Sequence, residues 1–159
     1  MAEDLLEGTV HAEVAGATAD QVWRLLDFCN IQRVMATMES CTRVEGIDGE
    51  PGCKRYCVGK PTAFGYGGEA FVPWAYERLL AIDPAERSYW YKVTDSNLGL
   101  RGYTAEMKVI DDGSRCTLEW SFTAESLGMT TRDTFVQNLR ETLRGIAQCI
   151  EAAVASGEA

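Results

Sequence analysis

Cys116-Thr117-Leu118-Glu119-Trp120-Ser121-Phe122-Thr123, with the later series Phe135, Leu139, Leu143, Ile146, Ile150 and Val154, decides how this chain folds. In the first stretch Cys116, Leu118, Trp120 and Phe122 alternate with Thr117, Glu119, Ser121 and Thr123. That is the period of a strand with one dry and one wet face. In the second, apolar residues recur at steps of three and four, which marks a long helix beginning near Thr130. Arg132, Arg140, Glu141, Arg144 and Glu151 keep its other side in water. A one-faced strand leading into a one-striped helix must bury both dry surfaces, and each can cover the other.

Working back from this pair, further strands fall at Leu100–Ile110, Arg87–Thr94, Glu69–Ala81, Cys53–Val58 and Cys41–Gly46. Asp111-Asp112-Gly113, Asp83-Pro84 and Ile47-Asp48-Gly49-Glu50-Pro51-Gly52 are the turns between them. Lys60–Gly68, rich in Gly, Pro and Thr, reads as a loop at the rim. Near the N-terminus, Gly8–Val14 is a strand, and Thr18-Ala19-Asp20-Gln21 has the spacing of a capping box. Val22, Leu25, Leu26 and Cys29 continue at helical intervals, Asn30 interrupts, and a second short helix is expected from Ile31 to about Thr37. The fold class is α+β: a curved antiparallel sheet of about seven strands wrapped on a long C-terminal helix, with two short helices after the first strand. This helix-grip arrangement makes a cup. Residues 1–159 read as a single ligand-cavity domain.

Composition narrows what the cup can hold. The net charge of -9 over 159 residues argues against nucleic acid and anionic membrane surfaces, both of which attract basic patches. No apolar run approaches the roughly 20 residues of a membrane span. Met1–Glu7 is acidic and lacks the basic and apolar regions of a signal peptide, so a cytoplasmic protein with reduced cysteines is expected. No metal is expected from Cys29, Cys41, Cys53, Cys57, Cys116 and Cys149: there is no CxxC pair, and His11 is the only histidine. A Ser-His or Cys-His hydrolase would need His11, which alternates with Val10, Ala12 and Val14 and so points to solvent.

One carboxylate is out of place. Glu77 lies in the apolar run Ala70-Phe71-Val72-Pro73-Trp74-Ala75-Tyr76-Glu77-Arg78-Leu79-Leu80, where a charge needs a partner or a purpose. Strand parity gives its direction: it shares a face with Phe71, Pro73, Ala75 and Leu79, opposite Trp74, Tyr76 and Arg78. Arg55 shares a face with Cys53 and Cys57, and Tyr103 with Ala105, Met107 and Val109. Three polar groups therefore point inward: a cation, a carboxylate and a phenol. They form either a buried ion pair that fixes the sheet or an acid/base site. Phe71, Trp74, Met107, Trp120, Phe122, Phe135 and Leu139 are expected to line the pocket around them.

Several blocks in order carry a resemblance: Gln21-Val22-Trp23-Arg24-Leu25-Leu26-Asp27-Phe28-Cys29-Asn30, Gly52-Cys53-Lys54-Arg55-Tyr56, Trp74-Ala75-Tyr76-Glu77-Arg78-Leu79, Gly102-Tyr103-Thr104-Ala105-Glu106-Met107, Glu119-Trp120-Ser121-Phe122 and Gly128-Met129-Thr130. Across nearly its whole length the chain resembles plant lachrymatory factor synthase-like proteins, a group within the Bet v 1/START-like, polyketide cyclase (SRPBCC) superfamily of hydrophobic-ligand cups. The resemblance implies that Glu77, Arg55 and Tyr103 are catalytic. It implies isomerisation of an alkenyl sulfenic acid to a thial S-oxide by a proton moved within one molecule, without a cofactor. In that scheme Glu77 is base and then acid, Arg55 holds the oxygen, and Tyr103 orients the substrate or carries a proton. The chain departs from the family at a longer Lys60–Gly68 loop, at Pro73 in place of an aromatic, and at Ala36 in place of a proline. The superfamily also implies an alternative, a non-catalytic carrier or receptor in which Arg55 anchors a small hydrophobic ligand.

Overall fold

The computed structural model describes residues 5–62, 70–113 and 115–158. β1 (Leu6–Val14) leads into α1 (Ala19–Leu25), whose start is fixed by the expected reciprocal cap. The Gln21 N–H donates to Thr18 Oγ1 at 3.2 Å, and the Thr18 N–H donates to Gln21 Oε1 at 2.9 Å. These bonds satisfy two of the N–H groups that a helix start leaves without intrahelical partners. The second helical segment is a 3-10 helix, Phe28–Val34, interrupted at Asn30 (φ −135°, ψ 24°). It begins earlier than the pattern from Ile31 suggested, because Phe28 and Cys29 are themselves packed inside.

The strands follow as β2 (Met38–Glu45), β3 (Lys54–Gly59), β4 (Trp74–Asp83), β5 (Ser88–Ser96), β6 (Leu100–Arg101), β7 (Thr104–Asp111), β8 (Cys116–Ala124) and β9 (Ser126–Leu127), before α2 (Arg132–Ala155). Seven of them form one antiparallel sheet in the order β1-β8-β7-β5-β4-β3-β2, and β6 pairs with β9 apart from it. The expected Glu69–Ala81 strand starts only at Trp74, directly after Pro73, which has no N–H to give to a ladder. The expected Leu100–Ile110 strand is split into β6 and β7 at Gly102, whose φ is +62° and whose added Cβ would meet Glu125 Cγ at 2.9 Å. Of the Lys60–Gly68 rim loop, residues 63–68 lie outside the described residues, as does Glu69.

β8 is paired on both sides, to β1 and β7, and its burial alternates residue by residue as the sequence predicted. α2 is capped by Thr131, whose Oγ1 accepts from the Thr134 N–H at 3.2 Å. Its buried stripe is Val136, Leu139, Leu143, Ile146, Ala147 and Ile150, packed on β1 and against the 3-10 segment. Leu143 and Ile150 are wholly enclosed, and each such side chain contributes about 1.5–3 kcal/mol by leaving water. The helix packs on β1 and β8 and against the 3-10 segment, and Phe28 of that segment meets Arg55, Tyr89 and Tyr91 from β3 and β5. Among the described residues, no helix is long and apolar enough to cross a membrane.

Candidate functional site

Register places the polar residues in one row. Arg55 on β3 is the cross-strand partner of Glu77 on β4, and Glu77 is the partner of Val93 on β5. The Val93 N–H donates to the Tyr103 carbonyl at 3.0 Å, which continues the row to the residue entering β7. Side chains directly opposite on one face are within contact distance, so the ladder itself brings Arg55 and Glu77 together.

Arg55 Nε and Nη2 both reach Glu77 Oε1, each at 2.8 Å. Nη1 donates to the Phe28 carbonyl at 2.6 Å. The guanidinium carbon stands 3.9 Å from the Phe28 ring centroid and 4.9 Å from that of Tyr91. Arg55 is only 4% exposed. Burial acts most strongly on it and against its charge, but Glu77 first, with Cys57, Tyr89 and Tyr91, together outweigh burial and hold the guanidinium well above its ordinary range. The cation is permanent.

Among the described residues, the hydrogen bonds to the Glu77 side chain land on one oxygen. Oε1 accepts from Arg55, and the Cys57 thiol lies against the same atom at 3.6 Å. Among the described residues Oε2 has no hydrogen-bond partner, and the side chain keeps 14% of its surface open. Within the described residues the carboxylate is anchored through one oxygen only.

Neutral tyrosines and apolar groups surround the pair. Burial pushes the Tyr89 hydroxyl up to about 12, with Arg55 pulling the other way. Burial also holds Tyr91 and Tyr103 above the ordinary phenol range, and the Glu77 charge adds to this at both. The indole N–H of Trp120 donates to the Tyr91 hydroxyl at 3.1 Å. Tyr103 stacks on Phe122 with centroids 5.7 Å apart and planes 9° apart, and Phe135 of α2 meets Phe122 edge-on at 4.9 Å. Such a surround keeps water from screening the one charged pair.

Of the residues expected at the site, Arg55 and Glu77 are in direct contact. Tyr103 is buried in the same row, but no hydrogen bond links its hydroxyl to either. Met107, Trp120 and Phe122 are buried on the inner face, and Leu139 and half-buried Phe135 come from α2. Trp74 is a correction. It pairs with Val58 and clusters with Tyr56 and Tyr76 on the outer face, as its parity opposite Glu77 requires. Phe71 precedes β4 and bridges to Thr62. Sequence reasoning missed Phe28, Tyr89 and Tyr91. For the tyrosines the signal was there, since Tyr89 and Tyr91 alternate with Trp90 and exposed Lys92. Nothing local marks Phe28, which acts partly through its carbonyl. Beside the row, Cys29, Asp48 and Cys53 bring their potential ligand atoms within 4.8 Å of one another.

The profile of the family described as polyketide cyclase/dehydrase and lipid transport matches residues 6–151. Among solved structures, the chain is similar to XoxI from Bacillus cereus, with a TM-score of 0.72 at 19% identity over 96% of this chain and 98% of that one. Against major latex-like protein 151 from Panax ginseng the TM-score is 0.74 at 18% identity, covering 93% and 96% respectively. Against Ara h 8.0201 it is 0.70 at 17% identity, covering 97% and 100%. At such identities the likeness speaks for the fold alone: the arrangement is Bet v 1-like.

Proposed function

The chain belongs to the polyketide cyclase/dehydrase and lipid-transport family, and on that premise we propose that it is a cofactor-free isomerase or cyclase. It would move a proton within one small, mostly apolar molecule. The observation that carries this reading is the asymmetry of Glu77: Oε1 is fixed by Arg55 while Oε2 has no partner among the described residues. A carboxylate oriented by one oxygen and open at the other is arranged to take a proton and return it. Arg55 positions it and sets a fixed cation where negative charge develops on substrate, in surroundings that screen poorly. Tyr103 stands next in the row as an orienting phenol. Phe122, Phe135, Met107, Trp120 and Leu139 supply apolar wall.

The resemblance of the Arg55, Glu77 and Tyr103 blocks to lachrymatory factor synthase-like proteins supplies a specific substrate. Glu77 would take the O–H proton of an alkenyl sulfenic acid. The C=C electron pair would then pick the proton up at the far alkenyl carbon as a C=S bond forms, giving the thial S-oxide. No atom or electron is gained or lost. The test mixes the protein with sulfenic acid generated by alliinase and measures thial S-oxide by gas chromatography. Product above the uncatalysed background, lost in Glu77→Gln, supports the reading. Background-level product from the unaltered protein refutes the sulfenic-acid assignment.

A carrier is the second reading, favoured by how completely Arg55 is tied down: Nε and Nη2 to Glu77, Nη1 to Phe28, with the Phe28 and Tyr91 rings against it. A carrier keeps its ligand affinity in Glu77→Gln and loses it when Arg55 is replaced. A catalyst loses turnover in Glu77→Gln while affinity stays within a few fold.

A further inference from the structure

Three elements deliver a sulfur or an oxygen to one point beside the row of Arg55. Cys29 comes from the 3-10 segment, Cys53 from the residue entering β3, and Asp48 from the turn between β2 and β3. The two sulfurs are 3.2 Å apart. Cys53 is wholly buried and Cys29 nearly so, while Asp48 is exposed, so the group has a dry floor and an open side.

The turn is built to bring Asp48 back onto Cys53. The Glu50 N–H donates to the Ile47 carbonyl and the Cys53 N–H to the Glu50 carbonyl, each at 3.0 Å, folding the connection twice. At Gly46, with φ +77°, any Cβ would stand 2.9 Å from Cys53 Cα. Only glycine lets the two arms approach this closely.

Two thiols and a carboxylate converge on one point in a mostly dry pocket. A dithiol switch leaves the carboxylate unexplained, since disulfide formation needs only a thiolate and its partner sulfur. A soft divalent cation accounts for all three residues, since it deprotonates the thiols it binds and takes the carboxylate as a further ligand.

We propose that Cys29, Cys53 and Asp48 form a site for one zinc-class divalent ion. Each thiol gives its proton to solvent, the carboxylate supplies the third ligand, and a solvent molecule takes the fourth position. Two metal–sulfur bonds of about 2.3 Å at a tetrahedral angle set the sulfurs roughly 3.8 Å apart, a small opening by side-chain rotation from the present separation. The ion would clasp the 3-10 segment to the β2–β3 turn. Phe28, next to Cys29, is the residue whose carbonyl holds Arg55.

The experiment titrates the reduced, metal-free full chain with Co2+ and then Zn2+. The expected result is one ion per chain, a thiolate-to-cobalt charge-transfer band that Zn2+ removes, and a raised melting temperature. Cys29→Ser and Cys53→Ser abolish the band. Asp48→Asn weakens binding by more than the roughly 10–100-fold that loss of an outer partner costs. Because Asp48 is exposed, its variant tests the site without disturbing the core. Cys149→Ser, on α2 outside the group, leaves binding unchanged. The site is refuted if Co2+ gives no band, if the band survives Cys53→Ser, or if Asp48→Asn binds as tightly as the unaltered chain. It is equally refuted if mild oxidant joins Cys29 to Cys53 while Co2+ leaves the spectrum unaltered.

Discussion

Replacing Glu77 by Leu removes one half of a charge pair whose other half cannot leave. Arg55 is 4% exposed and set against two rings, so its cation stays in place without a counter-charge. Two unit charges about 4 Å apart at an effective dielectric of about 20 interact by about 4 kcal/mol. The Phe28 carbonyl at 2.6 Å and the ring contacts remain, and these offset on the order of 1 kcal/mol. Glu77→Leu should therefore destabilise the fold by about 3 kcal/mol, within the range for breaking a buried pair. In a domain of this size that lowers the melting temperature by roughly 6–12 °C. Arg55→Met strands a carboxylate that keeps 14% of its surface open, so its cost should be somewhat smaller. The double variant carries no stranded charge and should return to within about 1 kcal/mol of the unaltered protein. Urea unfolding of all four proteins at one pH, with slopes compared to check that the denatured state is shared, yields a coupling of about 3 kcal/mol. A coupling below about 0.5 kcal/mol, or a Glu77→Leu variant as stable as the parent, would refute the claim that this pair is desolvated.

Glu106 on the outer face is held above the usual carboxylate range by burial, with Lys108 pulling it down and Glu119 pushing it up. The folded chain therefore binds that proton more tightly than the unfolded chain, and this group's contribution falls as pH rises from 4.5 through its folded value. Glu106→Gln should be more stable than the parent at neutral pH and lose that advantage in acid; equal stability across an acid-to-neutral urea series would contradict this. Tyr89, Tyr91 and Tyr103 work at the alkaline end, where burial keeps all three neutral in the fold. Unfolded phenols ionise near 10, so stability should fall as pH rises from there towards about 12, the folded value at Tyr89. Tyrosinate absorbance of these three should appear together with loss of the near-ultraviolet dichroism, and early, reversible ionisation of any one of them would show that it is not enclosed.

Local pattern carried much of this architecture. Alternation along Cys116–Thr123, the three-and-four stripe of the last helix and the Thr18–Gln21 cap each depend on neighbours within a few residues, and each is present. Parity alone gave the directions of Arg55 and Glu77, because one buried face fixes strand register. That same parity sets Trp74 on the face opposite Glu77, away from the expected pocket. What pattern could not supply was anything that depends on register between distant elements. Phe28 serves the site through a backbone carbonyl, which any residue type carries. Cys29, Asp48 and Cys53 are adjacent only because the fold brings the 3-10 segment to the β2–β3 turn, and their spacing along the chain fits no familiar ligand motif. Gly102 is a similar case: a single glycine inside an apolar run also fits an unbroken strand, and only its positive φ ends β6 and re-aims Tyr103.

β1 pairs along its whole length with β8, from Leu6 opposite Ala124 to Val14 opposite Cys116. β2, the next strand in sequence, lies at the far edge of the sheet. The first strand made is thus among the last to find its partner. During synthesis β1 and the helices after it must wait, apolar faces uncovered, until most of the chain has left the ribosome. Closing so long a loop costs entropy before any contact repays it, which makes this topology a slow folder on the scale of milliseconds to seconds. The central meander β3-β4-β5, which holds the Arg55–Glu77 pair, needs only short-range closures. The candidate site can therefore be assembled in outline before the wall that encloses it arrives.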